Sequence, residues 1–183
     1  MYRKLHNNEL GRISREEFLR ADKLPVVLVM ENIRSQHNIG ASFRTADAFA
    51  IEKLVLCGIC ATPPSAEIRK AALGAEESVE WSYYENCSDA ILDLKKAGYK
   101  IISVEQTENS VSLNHFTPLP KERYAFIFGN EVKGVSQEVV DMSDSVIEIP
   151  QYGTKHSLNV SVSVGVVLWE VTSALIKRGD DRL

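Results

Sequence analysis

The sequence predicts an α/β fold, a mostly parallel open sheet with helices on both faces. Short apolar runs rich in Val and Ile alternate with stretches of helical periodicity along the chain. The switches between them are marked by Gly, Pro or a capping residue. The chain has 183 residues, 44% hydrophobic and 25% charged, which bounds it to one ordinary globular domain.

The elements follow in order. "REEFLR" after Ser14 is a short helix, because Ser14 with Glu17 three residues on makes a capping box. Residues 25–33, "PVVLVMENI", are a buried strand, and Ile39, Phe43, Ala46 and Ala50 then recur at helical spacing. "KLVLCGI" (53–59) is a second strand, followed by a helix with Ser65 as N-cap and Gly74 as stop. In "CSDAILDLKKAGYK" the residues Ala90, Ile91 and Leu94 share one helix face, which Gly98 ends before the strand "KIISVEQ". "RYAFIFGNE" (123–131) and "SVIEIP" (145–150) are further strands around the short helix "SQEVVDMS". From Leu158 to Lys177 β-branched residues favour a strand, yet no turn signal interrupts twenty residues, so the segment is a helix buried on more than one side.

Composition excludes several classes. The first residues are polar and mixed in charge, unlike a secretory signal, which makes the cytoplasm the expected location. No apolar run approaches the roughly 18 residues of a membrane span, so no membrane partner is expected. Cys57, Cys60 and Cys87 are too few and too poorly spaced for a disulfide framework or a zinc cluster, and no metal is expected. The net charge of −4 gives no whole-protein attraction to nucleic acid, so any such binding is local. The basic spots Arg3/Lys4, Arg12/Arg15, Arg69/Lys70, Lys95/Lys96 and Lys177/Arg178 read as solvated surface. Neither a dinucleotide fingerprint, a P-loop nor a G-x-S-x-G elbow is present.

In open parallel sheets, ligands bind outside the carboxyl ends of the strands, which points to the loops after Ile33, Val104, Gly129 and Pro150. In the first, "NIGASFR", Asn38 is placed to cap the helix and Gly40 to leave its N-terminus open to an anion. Arg44 fits a bidentate phosphate contact, but from this segment alone a surface pair with Asp47 is favoured. In "FGNEVKGVS", Glu131 between Gly129 and Gly134 is either a ligand acceptor or an exposed turn residue. In "IPQYGTKHSLNVS", Ser157 reads as an N-cap, with Asn159 beside it.

Together, N-x-G-x-x-x-R-x-A (Asn38, Gly40, Arg44, Ala46), "FGNEVKG" and "IPQYGTKHSLNVSVSVGVVLWE" resemble in order and spacing the three motifs of the SpoU, or TrmH, RNA 2′-O-ribose methyltransferases of the SPOUT superfamily. The similarity runs from about residue 26 to 178. It implies a C-terminal deep trefoil knot, a homodimer, S-adenosylmethionine as cofactor and an RNA substrate. Transfer RNA is favoured over ribosomal RNA. By motif matching, Asn38, Arg44, Glu131, Ser157 and Asn159 form the catalytic centre. Gly129, Ile149 and Leu158 contact the cofactor, with Val104, Glu105 and Thr107 as neighbours. Residues 1–24 are then a short helical extension, which touches RNA through Arg12, Arg15 and Arg20 or packs on a partner subunit, and 25–183 the knotted domain. Two other readings remain: a catalytically silent relative that binds RNA or a nucleotide, and a flavodoxin-like regulatory domain.

Overall fold

The structure, a computed structural model, describes residues 2–177. Arg178 and the last residues of the expected domain lie outside the described ones. Seven strands form one sheet: β1 (Leu24–Glu31), β2 (Ile51–Cys57), β3 (Glu80–Tyr84), β4 (Tyr99–Val104), β5 (Val111–Ser112), β6 (Arg123–Phe128) and β7 (Ser145–Glu148). Their order is β3-β2-β1-β6-β4-β7-β5, and every ladder is parallel.

Strand β1 lies inside the sheet between β2 and β6, and its eight residues are all buried because helices cover both of its faces. Side chains alternate across a strand, so Val26, Leu28 and Met30 enter one core and Val27 and Val29 the other. The first core takes residues from α2 (Gln36–Ala48), α3 (Ala66–Ala72) and α6 (Val160–Lys177), and the second from α4 (Cys87–Lys96) and α5 (Gln137–Met142). The short α1 (Arg15–Arg20) has the expected capping box, and its Phe18 is buried in the first core. Arg15 donates to the carboxylate and carbonyl of Glu77, so this extension packs on its own chain.

Several local expectations need correcting. Asn38 is the third residue inside α2, not its cap; the cap is Ser35, whose hydroxyl accepts the Asn38 N–H at 3.2 Å. Gly40 serves helix packing instead of opening an anion site, because a Cβ there would lie 2.4 Å from the Ile68 carbonyl oxygen on α3. Leu73, in the left-handed region at φ 54°, ends α3 one residue before Gly74. The cap of α6 is Asn159 and not Ser157: its Oδ1 accepts the Ser161 N–H at 2.9 Å. Strands β3 and β5 have no counterpart in the sequence reading.

Helix α6 is in fact long and apolar enough to cross a membrane by length and composition, with mean hydropathy 1.5 over 18 residues. Its buried Val160, Val164, Val167, Leu168, Val171 and Leu175 fall on one face against the first core, while Val162, Val166 and Trp169 are exposed.

Candidate functional site

The carboxyl ends of four adjacent strands, β1, β6, β4 and β7, carry the loops singled out above. Polar side chains lace these loops together. The Glu131 carboxylate accepts the backbone N–H groups of Arg34 at 3.1 Å and Ser35 at 3.2 Å, and the Asn38 Nδ2 at 3.2 Å. The Asn38 Oδ1 in turn accepts the Asn159 Nδ2 at 3.2 Å. One hydrogen-bonded array therefore joins residues from the loops after β1, β6 and β7. Burial raises the Glu131 pKa, but hydrogen bonds from backbone N–H groups of Glu131 itself, Arg34 and Ser35 and from the Asn38 amide outweigh it, and the group titrates below the usual glutamate range. It is a carboxylate at neutral pH with these donors already seated on it.

The loop after β6 is a tight turn. Asn130 and Gly134 exchange backbone hydrogen bonds at 3.0 and 2.8 Å, and the Asn130 Oδ1 accepts the N–H groups of Val132 and Lys133. Gly129 has no room for a side chain, because a Cβ would stand 2.1 Å from the Gly134 carbonyl carbon and the Val135 nitrogen. Gly134, at φ +69°, would meet the Glu105 carboxylate at 2.1 Å. That carboxylate accepts the Val135 N–H at 2.8 Å, so Glu105 also pins the turn. Asn130 and Ser136 fix the same loop to β1: the Asn130 amide donates to the Asn32 carbonyl at 2.7 Å, and the Ser136 N–H and hydroxyl donate to the buried Glu31 at 2.9 and 2.6 Å. Gln106 donates to the His156 carbonyl at 2.7 Å, tying the loop after β4 to the loop after β7.

These loops enclose a cleft of about 500 Å³ whose lining includes Val104, Glu105, Gly129, Ile149 and Leu158. Glu131, Ser157 and Asn159 line it too, and Asn38 is buried behind it. Thr107 is outside the lining; its carbonyl accepts the N–H and hydroxyl of Ser110. Arg44 stands apart. It is exposed on α2, and among the described residues it has no hydrogen bond or ion pair. The surface pair with Asp47 is not formed, since Asp47 accepts the Ser78 hydroxyl at 2.9 Å. Six helical residues separate Arg44 from Asn38, about 9 Å along the axis and about 120° around it.

Sequence reading missed Glu31, Asn32, Asn130 and Gln106. The one available signal was Asn130 at a strand end between glycines, since Asn side chains readily bond their own turn. Cys60 offers no reactive thiol: burial pushes it up to about 11. The Cys87 thiol is raised by its hydrogen bond with Cys57 and by burial.

A family model described as the SpoU rRNA methylase family matches residues 25–169. The chain is 34% identical over 146 residues to the 23S rRNA (guanosine-2'-O-)-methyltransferase RlmB of Neisseria meningitidis, covering 80% of this chain and 57% of that one. It is 29% identical over 166 residues to the tRNA (guanosine(18)-2'-O)-methyltransferase of Aquifex aeolicus, covering 89% and 76%. Among solved structures, the A. aeolicus TrmH/SpoU tRNA modifying enzyme superposes with a TM-score of 0.80 at 25% identity, covering 91% of this chain and 84% of that chain.

Proposed function

The chain belongs to the SpoU rRNA methylase family, and from that premise we propose that it is an S-adenosylmethionine-dependent RNA 2′-O-ribose methyltransferase. The observation that carries this reading is the Glu131–Asn38–Asn159 array at the wall of a cleft built by three loops. The cleft suits the cofactor: its volume of about 500 Å³ falls in the range of small-molecule sites, and its lining mixes backbone of a tight turn with Val104, Ile149 and Leu158. Those residues would hold it, together with Gly129, Glu105 and the Ser157 hydroxyl. Thr107 would be a neighbour beyond the lining. Once bound, the cofactor supplies an electrophilic methyl group on a sulfonium.

The chain's own residues position the acceptor. Arg44, without a polar partner among the described residues, is assigned to the phosphate or ribose of the target nucleotide, gripped bidentately so that the 2′-oxygen would lie in line with the methyl carbon. Transfer of that methyl group to the 2′-oxygen would release the hydroxyl proton to a phosphate oxygen or water. A guanidinium with a pKa above 12 is a poor acceptor for that proton. Glu131 is also unsuited as base, because the hydrogen bonds it accepts from Arg34, Ser35 and Asn38 stabilise its ionised form and lower its pKa. Its role is to keep the loops after β1 and β6 in register, with Asn38 passing that order to Asn159.

The same reading extends to the assembly. We assign a trefoil knot to the segment after β7, residues 25–183 to one knotted domain and residues 1–24 to its extension, and the cytoplasm as the location. A homodimer is supported by a second apolar stripe on α6, where Val162, Val166 and Trp169 border a groove with Leu113, Ile149 and Pro150. Transfer RNA is the preferred substrate, with ribosomal RNA as the alternative.

The test is transfer of labelled methyl groups from S-adenosylmethionine to bulk RNA, followed by digestion to nucleosides. The expected product is a 2′-O-methylated nucleoside. Retention of RNA without any label would instead identify a binding protein.

A further inference from the structure

Beyond residue 2, the two most exposed large apolar side chains among the described residues are Tyr152 at 96% and Val132 at 81%. Both lie on loops that form the same cleft. Val132 is part of its lining, and Tyr152 stands next to Gln151 in the loop that also supplies His156, Ser157 and Leu158 to it. Scattered exposed apolar residues are ordinary, but these two belong to two loops of one cleft.

The two loops are also tied to their neighbours. The Val132 N–H is held by Asn130 at 3.0 Å, and the Tyr152 loop is tied at the His156 carbonyl by Gln106 at 2.7 Å. The two side chains themselves stay exposed, an aromatic face and an aliphatic edge in water. Lys133, Lys155 and His156 are exposed beside them. An aromatic face with flanking cations matches the chemistry of an unstacked nucleobase with its phosphates, which stack on aromatic rings without sequence preference.

We propose that Tyr152 and Val132 form a slot at the cleft mouth that receives an unpaired nucleobase of the RNA, stacked on the Tyr152 ring. This rests on the methyltransferase reading and sharpens it: the substrate presents the target region single-stranded, as a loop or bulge, not within a duplex. Tyr152 is here a substrate-positioning residue at the rim and takes no part in cofactor binding.

The test uses the full chain with two fluorescein-labelled RNAs, a hairpin with a seven-nucleotide loop and a fully paired duplex of equal length. Tyr152→Ala should weaken hairpin binding by about tenfold to a hundredfold, the range that loss of one stacked base produces. Duplex binding should be unchanged, and Tyr152→Phe should stay within about twofold of wild type. S-adenosylmethionine affinity and thermal midpoint should match wild type in both variants. Unchanged hairpin affinity in Tyr152→Ala would overturn the slot. So would a changed sedimentation coefficient, because Tyr152 would then be a subunit contact. Wild-type methyl transfer to bulk RNA separates the two levels: if it is absent, the parent reading fails; if it is present and Tyr152→Ala is indifferent, only the slot fails.

Discussion

Asn38 and Arg44 belong to one helix, yet their surroundings are opposite. Asn38 is buried and both ends of its amide are bonded, to Glu131 and to Asn159. Arg44, less than two turns on, is exposed and has no polar partner among the described residues. The difference separates two kinds of work. The inward face of α2 holds three loops in place before any ligand arrives, whereas its outward face presents a cation whose partner comes from outside the chain. A residue of the first kind is tied to stability and function together, and a residue of the second kind to function alone.

The largest effect belongs to the outward face. Arg44→Ala should reduce kcat/KM for RNA methylation by about a hundredfold or more, since orienting contacts contribute several kcal/mol. Its thermal midpoint should move little, as for other surface changes. Arg44→Lys keeps the charge but not the fork, so near-normal turnover there would remove the bidentate role.

Gly40→Ala probes a third side of the same helix and should act through stability alone. A methyl group 2.4 Å from the Ile68 carbonyl and 2.7 Å from the Ala71 Cβ forces α2 away from α3. A loss of about 1–3 kcal/mol is expected, read by chemical denaturation. Full stability in this variant would mean that the helices separate without cost. Asn38→Ala should cost about 1–3 kcal/mol, because polar atoms of Glu131 and Asn159 lose their partner, and it should also weaken cofactor binding. A variant that lost activity with unchanged stability would place Asn38 with Arg44 and erase the contrast.

The smallest effect is in pH. The Glu131 pKa is lowered in the folded chain, so its contribution is present above the unfolded value, about 4.3 for glutamate, and fades as pH falls through the folded value. Stability of wild type should therefore decline across that acid window more than stability of Glu131→Gln. Because Glu131 is solvent-exposed, the difference is modest. Parallel acid curves for the two proteins would indicate that its hydrogen bonds carry no folding energy.

The alternation of strands and helices was legible because β1 and β6 are buried on both faces and read as unbroken apolar runs. Strand β3 was not, since at the sheet edge its Trp81 and Tyr83 are only partly covered and its pattern is weak. The cap positions of α2 and α6 were misread for a related reason. Two or three polar residues precede each helix, and only the backbone path decides that Ser35 and Asn159 do the capping. Gly40 looked like an opening for a ligand because close contact between helices far apart in sequence leaves no local mark. The loops carrying the site were foreseen from strand ends, but the lacing by Glu31, Asn130 and Gln106 depends on distances between them, which periodicity does not encode.

The central claim is that the loops after β4, β6 and β7 form one cofactor cleft. Calorimetric titration of S-adenosylmethionine into wild type and Leu158→Arg tests it most directly. One site per chain is predicted for wild type, and loss of that site in the variant, whose guanidinium would fill the cleft. No heat with wild type, or equal affinity in both proteins, would contradict it.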